Sequence, residues 1–187
     1  MQKKIINLLK ESIGVKNKVL ENNVKDIEKL ASAMLETIKA GHKILLFGNG
    51  GSATDCLHIA AELVGRFKKE RKALPAIALT ANSSILTALG NDYNFDYIFE
   101  RQVEALGNKG DMAIGISTSG SSKNVVAGIL KASNMGLKTA ALTGEKKGEL
   151  CKAADMCVRV PSTNTPRIQE AHIAIGHIVC ELIEDAF

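Results

Sequence analysis

His58 and Glu62 stand four residues apart, so on a helix their side chains share one face, and RIQEAHIAIGH sets Gln169, His172 and His177 on a later helical stretch. Two imidazoles, a carboxylate and a neutral amide oxygen suit a borderline divalent ion such as zinc. An amide rather than a thiolate as fourth donor points to catalysis and not to a structural site. At about 100° per residue, Gln169 lies about 60° from His172 and about 80° from His177, on opposite sides, so periodicity leaves the choice of histidine open. Taken alone, the His58/Glu62 pair reads first as a surface hydrogen bond or ion pair.

Upstream of His58 runs KILLFGNGGSATDCLH, residues 43–58, an apolar run that breaks into Gly48, Asn49, Gly50, Gly51 and Ser52 before a helix. GNGGSA matches the G-x-G-x-x-A form of the dinucleotide fingerprint. That fingerprint needs an acid at the end of the second strand to hold the ribose, and there the chain has Leu79, Thr80, Ala81 and Asn82. Dinucleotide binding is therefore disfavoured. The glycines still allow close backbone approach to a ligand, and Ser52 reads as an N-cap for a helix whose amides favour negative groups.

A second loop of the same chemistry follows the third strand: ISTSGSSKN, residues 116–124, sets Ser117, Thr118, Ser119, Ser121 and Ser122 around Gly120. Five hydroxyls and free amides at a helix start form a nest for a phosphate. The chain has no GxxxxGK[ST], so a phosphate monoester on a small molecule fits better than a nucleoside triphosphate.

These loops need a scaffold. Apolar residues at three- and four-residue spacing predict two helices within residues 1–41, stopped by Gly41. Short apolar runs then alternate with helical stretches. The reading is strand 43–47, helix 53–67, strand 75–79, helices near 83–89 and 94–105, strand 111–116 and helix 122–135. Strand 138–142, a short helix near 147–153, strand 156–160 and helix 166–185 follow. Strands apolar at almost every position are buried on both faces. The expectation is one α/β domain over residues 1–187: a doubly wound, five-stranded parallel sheet with ligands beyond the carboxyl ends of the strands.

Composition agrees: 187 residues, 45% apolar and 24% charged, support one packed core rather than disorder. A net charge of +4 carries no long-range field for a polyanion. The exception, RFKKERK at 66–72, reads as a solvated helix end whose cations complement the C-terminal dipole, with too few aromatics nearby for base stacking. Nucleic acid is not expected as a partner. Cys56, Cys151, Cys157 and Cys180 lack CxxC spacing and read as reduced, packed thiols. No run approaches the ~20 apolar residues of a membrane span, and nothing resembles a signal peptide, so a cytoplasmic enzyme on a small phosphorylated metabolite is expected.

GNGGSA, GND at 90–92, STSGSS and RIQEAH, in that order and at these separations, resemble the phosphoheptose isomerases of the sugar-isomerase (SIS) fold. The likeness runs from about residue 20 to the end. It implies interconversion of sedoheptulose 7-phosphate and D-glycero-D-manno-heptose 7-phosphate, the entry to bacterial heptose for lipopolysaccharide. It also implies one zinc ion per subunit and a homotetramer with interfacial active sites, in which the N-terminal helices at 1–41 serve oligomerisation. By the resemblance the metal ligands are His58, Glu62, Gln169 and His177, and His172 is a bystander. Substrate contacts fall on Asn49, Gly50, Gly51, Asn91, Asp92, Ser117, Thr118, Ser119 and Ser122, with Glu62 and Gln169 also touching substrate. Glu62 is the base and His177 the acid, and Arg66 matches a functionally implicated arginine. Asn82 and Ser83 depart from the pattern, which has an acid near that position. The alternative is a non-catalytic SIS relative that binds the replication initiator. That relative lacks the acid and the final histidine, both of which stand here at Glu62 and His177.

Overall fold

The computed structural model describes residues 1–146 and 148–187. Two helices lead, α1 (Gln2–Asn22) and α2 (Val24–Lys39). The stripe Ile27, Leu30, Ala31, Met34 and Ile38 is buried at helical spacing, and Gly41, at φ 84°, ends the segment where a side chain would be strained. The strands are β1 (Ile44–Gly48), β2 (Ala76–Ala78), β3 (Met112–Ser117), β4 (Lys138–Thr143) and β5 (Met156–Arg159). Between and after them come α3 (Gly51–Val64), α4 (Ser83–Asp92), α5 (Ile98–Leu106), α6 (Lys123–Asn134), α7 (Glu149–Ala153) and α8 (Thr165–Glu184). The order of elements is the one expected, and the expected start of the short helix at 147 lies outside the described residues.

All strand pairs are parallel and the order across the sheet is β2-β1-β3-β4-β5. Alternate strand residues feed opposite faces. Ile44, Leu46, Ile114 and Ile116 pack with α1, α2, α3 and α8 on one side. Leu45, Phe47, Ala113 and Ala141 pack with α5, α6 and α7 on the other. The chain therefore leaves β1 toward one face and its neighbour β3 toward the opposite face. This is the switch point where open α/β sheets bind ligands, and Gly48 pairs with Ile116 at its mouth.

Three local expectations change. Helix α3 begins at Gly51 because Gly50, at φ 55°, makes the turn; Ser52 lies buried inside the first turn and caps nothing. Helix α3 also ends at Val64, so Arg66–Lys72 is a non-helical strap rather than a helix end, although Arg71 does complement the C-terminal carbonyls of α3 as expected of a cation there. Finally, Cys151 and Cys157 are joined as a disulfide, whereas Cys56 and Cys180 are free and buried. The turn between α7 and β5 brings their Cα atoms to 5.3 Å, within bridging reach, and a spacing of six residues gave no sign of it. None of the helices among the described residues is long and apolar enough to cross a membrane.

Candidate active site

Helix α3 carries His58 and Glu62 one turn apart, and α8 packs beside it with His177 facing both. His58 Nε2 lies 3.1 Å from Glu62 Oε1 and 3.2 Å from His177 Nε2. The two imidazoles meet edge to face at 4.9 Å between centroids, and donor atoms of all three residues lie within 4.8 Å of one another. Donors around a tetrahedral zinc at about 2.0–2.1 Å stand about 3.3 Å apart, so this nitrogen and oxygen set fits such an ion. The cluster is half exposed, as an exchangeable, substrate-facing position requires: Glu62 and His177 are partly buried and His58 is open.

The other histidine on α8 has a different job. His172 is fully buried, and its Nε2–H donates to the Thr143 carbonyl at 3.2 Å, tying α8 to the end of β4. Burial pushes its pKa down to about 4, so it is neutral at ordinary pH. Which histidine of α8 meets His58 and Glu62 follows from which face of the helix is turned to the sheet.

Gln169 does not join the cluster within one chain. It stands eight residues before His177 on the same helix, about 12 Å along its axis. Its amide instead lies against Gly51, where an added Cβ would overlap it. The first turns of α8 thus cover the glycine loop, and a side chain at position 51 would have to push the Gln169 amide aside.

Around the mouth of the sheet the two loops are linked side chain to side chain. Asn49 Nδ2 donates to Asn124 Oδ1 at 2.8 Å, and Asn124 Nδ2 returns a bond to Asn49 Oδ1 at 2.9 Å. Asn124, buried in the first turn of α6, also accepts the Val125 N–H at 2.9 Å, which fixes its amide orientation. In the serine loop, the Ser117 and Ser122 hydroxyls pair at 2.9 Å and Ser117 and Ser119 at 3.3 Å. Gly120, at φ 67°, folds that loop, and its carbonyl accepts the Leu150 N–H. Thr118 is half-buried and accepts the Gly144 N–H through its carbonyl.

The chain as a whole has counterparts among known proteins. The family model for the SIS domain matches residues 9–144. A phosphoheptose isomerase of Aquifex aeolicus (strain VF5) is 55% identical over 185 residues, covering 99% of this chain and 97% of the relative. This chain belongs to the phosphoheptose isomerase family. Solved phosphoheptose isomerases from Francisella tularensis and Neisseria gonorrhoeae superpose with TM-scores of 0.95 and 0.94, at 38% and 40% identity, each covering 98% of both chains.

Two of the substrate-contact positions carried over from the phosphoheptose isomerases stand apart in this chain. Asn91 and Asp92 lie exposed at the end of α4, where Asn91 Nδ2 donates to Asp92 Oδ1 at 2.9 Å. Asn82, where an acid was the pattern, caps α4 by accepting the Ile85 N–H at 3.1 Å. Other residues near the site escaped the sequence reading. Asn124 closes the 116–124 stretch but carries no role in that reading. Asp55 sits one turn before His58; burial, opposed by the nearby His58, lifts its pKa to about 6, and its Oδ2 has no partner among the described residues. Glu184 falls four residues after Cys180 on the apolar stripe of α8, and an acid at a core position was a readable signal.

Proposed function

We propose that the chain is an aldose-ketose isomerase that interconverts sedoheptulose 7-phosphate and D-glycero-D-manno-heptose 7-phosphate, the first step toward bacterial heptose and lipopolysaccharide. One observation carries the mechanism: a carboxylate and an imidazole from different helices, Glu62 and His177, converge on His58. The isomers differ by the position of one hydrogen between C1 and C2. Glu62 takes the proton from C1 of the ketose, the enediol forms, and a proton returns to C2. His177 exchanges the proton between the C1 and C2 oxygens, and the roles reverse in the other direction.

His58, Glu62 and His177 would hold one zinc ion per subunit, each through one donor atom, and when bound it would polarise the carbonyl and stabilise the enediolate; the second Glu62 oxygen and the second His177 nitrogen are the atoms left to carry protons. Ser117, Thr118, Ser119 and Ser122 hold the phosphate, and Asn49, Gly50 and Gly51 hold the sugar, so that the reacting carbons are fixed. Asn91 and Asp92 are substrate contacts on the family pattern alone, offered from an exposed position at the end of α4.

Gln169 completes the donor set from a second copy of the chain, because the rise of α8 keeps it from His177 of its own. The whole chain acts as one domain in a homotetramer. Apolar side chains exposed on α1 (Ile5, Leu9, Ile13) and on α8 (Ile178, Leu182) support that reading. Cytoplasmic placement is supported by a charged substrate that does not cross a bilayer unaided.

The test is conversion of sedoheptulose 7-phosphate by zinc-loaded protein in deuterated water, with label entering at C2. Folded, tetrameric wild type without turnover sinks the proposal. Mixed oligomers of Glu62→Gln and Gln169→Ala copies regain activity if the site is shared between copies; no recovery places Gln169 elsewhere.

A further inference from the structure

The strap that follows α3 binds both helices of the donor cluster at once. Its backbone N–H groups at Phe67, Lys68 and Lys69 donate to one carboxylate, Glu184 of α8, at 2.9, 2.7 and 2.9 Å. Arg71, further along the strap, folds back under it. Its guanidinium donates to the Glu62 carbonyl at 2.6 Å, to Leu63 at 2.9 Å and to Gly65 at 3.1 Å, taking up the carbonyls left open at the end of α3. Arg71 Nε also stands 3.4 Å from Glu184 Oε1, with the two side chains 4% and 2% exposed. Lys68 pairs with Glu181 at 2.6 Å and Lys69 with Asp185, further ties to the last turns of α8. Between these anchors, the Phe67 ring packs on the His177 imidazole at 5.6 Å between centroids.

We propose that Arg71 and Glu184 are positioning residues for the His58/Glu62/His177 cluster, acting as a clamp that sets the separation of α3 and α8 and seats Phe67 on His177. The clamp contacts the backbone of Glu62 and the ring of His177 but no donor atom of either, so it orients the ligands from behind. Buried groups that orient ligands in this way change metal affinity by 10- to 100-fold when removed. The inference rests on the cluster being a metal site, as in the function proposed above.

Cobalt(II) is the probe, because its absorption reports both binding and coordination without any turnover. Arg71→Lys cannot reach several carbonyls and the carboxylate together, and Glu184→Gln removes the charge from the amide nest. Both are expected to raise the cobalt Kd at least tenfold and to alter the spectrum. Asp111→Asn is the control: it breaks a partly buried ion pair, Lys43–Asp111, between the starts of β1 and β3, where Asp111 bonds to Lys43 and Asn108 rather than to the strap or α8, and should leave the Kd within twofold. Phe67→Leu keeps the clamp but removes the ring from His177, and should weaken binding by a smaller factor even if the other two variants fail to fold. Folded Arg71→Lys and Glu184→Gln, or Phe67→Leu where those do not fold, binding cobalt within twofold of wild type overturns the inference. So does an equal loss in Asp111→Asn. A folded wild type that takes up no cobalt removes the metal reading and the clamp with it, whereas wild-type binding matched by the variants removes the clamp alone.

Discussion

The serine loop after β3 and the His58/Glu62/His177 cluster differ in what holds them in place. In the loop, Ser117, Ser119 and Ser122 bond to one another within six residues, so neighbours in the chain shape it. In the cluster, His58 and His177 are separated by 119 positions in the sequence, and they meet only because α3 and α8 pack on the same face of the sheet. A local nest tolerates the loss of one hydroxyl, since its backbone N–H groups remain. A cluster assembled across the fold has no such reserve, because each donor is unique and depends on packing far from it.

The largest expected effect breaks the cluster. Glu62→Gln should lower kcat by about a thousandfold, on the scale of a lost general base, with the circular dichroism unchanged. Retention of more than a tenth of kcat would show that the proton is taken by another group. Next comes the anchor of α8. His172 is neutral in the fold with a pKa of about 4 against 6.5 in the unfolded chain, so the unfolded chain binds the extra proton first. Its contribution, about 3 kcal/mol, is fully present above pH 6.5 and disappears as pH falls toward 4. Denaturant titrations of wild type and His172→Gln across that window should differ in slope; parallel curves would remove His172 as the source.

On the loop side the effects are smaller. The Cys151–Cys157 bridge closes a short loop on α7, whose Leu150 N–H supports Gly120. Cys151→Ser should cost about 2 kcal/mol in oxidising buffer and nothing in reducing buffer, as read by thermal melts. Equal melts in both buffers would mean the bridge contributes no stability. The mildest change is Ser122→Ala, expected to raise KM for the sugar phosphate about tenfold with kcat retained, as for binding shared by ground and transition state. A fall in kcat equal to that of Glu62→Gln would erase the contrast between loop and cluster.

Legibility in the sequence follows the same division. The alternation of apolar runs and helical stretches, the glycine and serine loops and the His58/Glu62 spacing were all readable, because each depends on residues within about one turn or one strand. Ser52 misled because a good cap residue stood two places past a glycine that could take φ 55° and start the helix earlier. The basic run at 66–72 misled because its partner, Glu184, is more than a hundred residues away. Without that acid, Arg71 looks like any solvated cation.

By itself, then, the sequence determined the order of elements, the two-faced burial of the strands and the chemistry of both loops, since periodicity and turn propensity act over short distances. Tertiary structure alone decided the strand order that opens the switch point beside β1 and β3. It also decided which histidine of α8 turns to Glu62 and that Gln169 lies over Gly51, about 12 Å along the helix from His177 of its own chain. Those outcomes depend on how whole helices seat against a sheet. Packing of that kind is a sum over many distant contacts and leaves no mark at any single position.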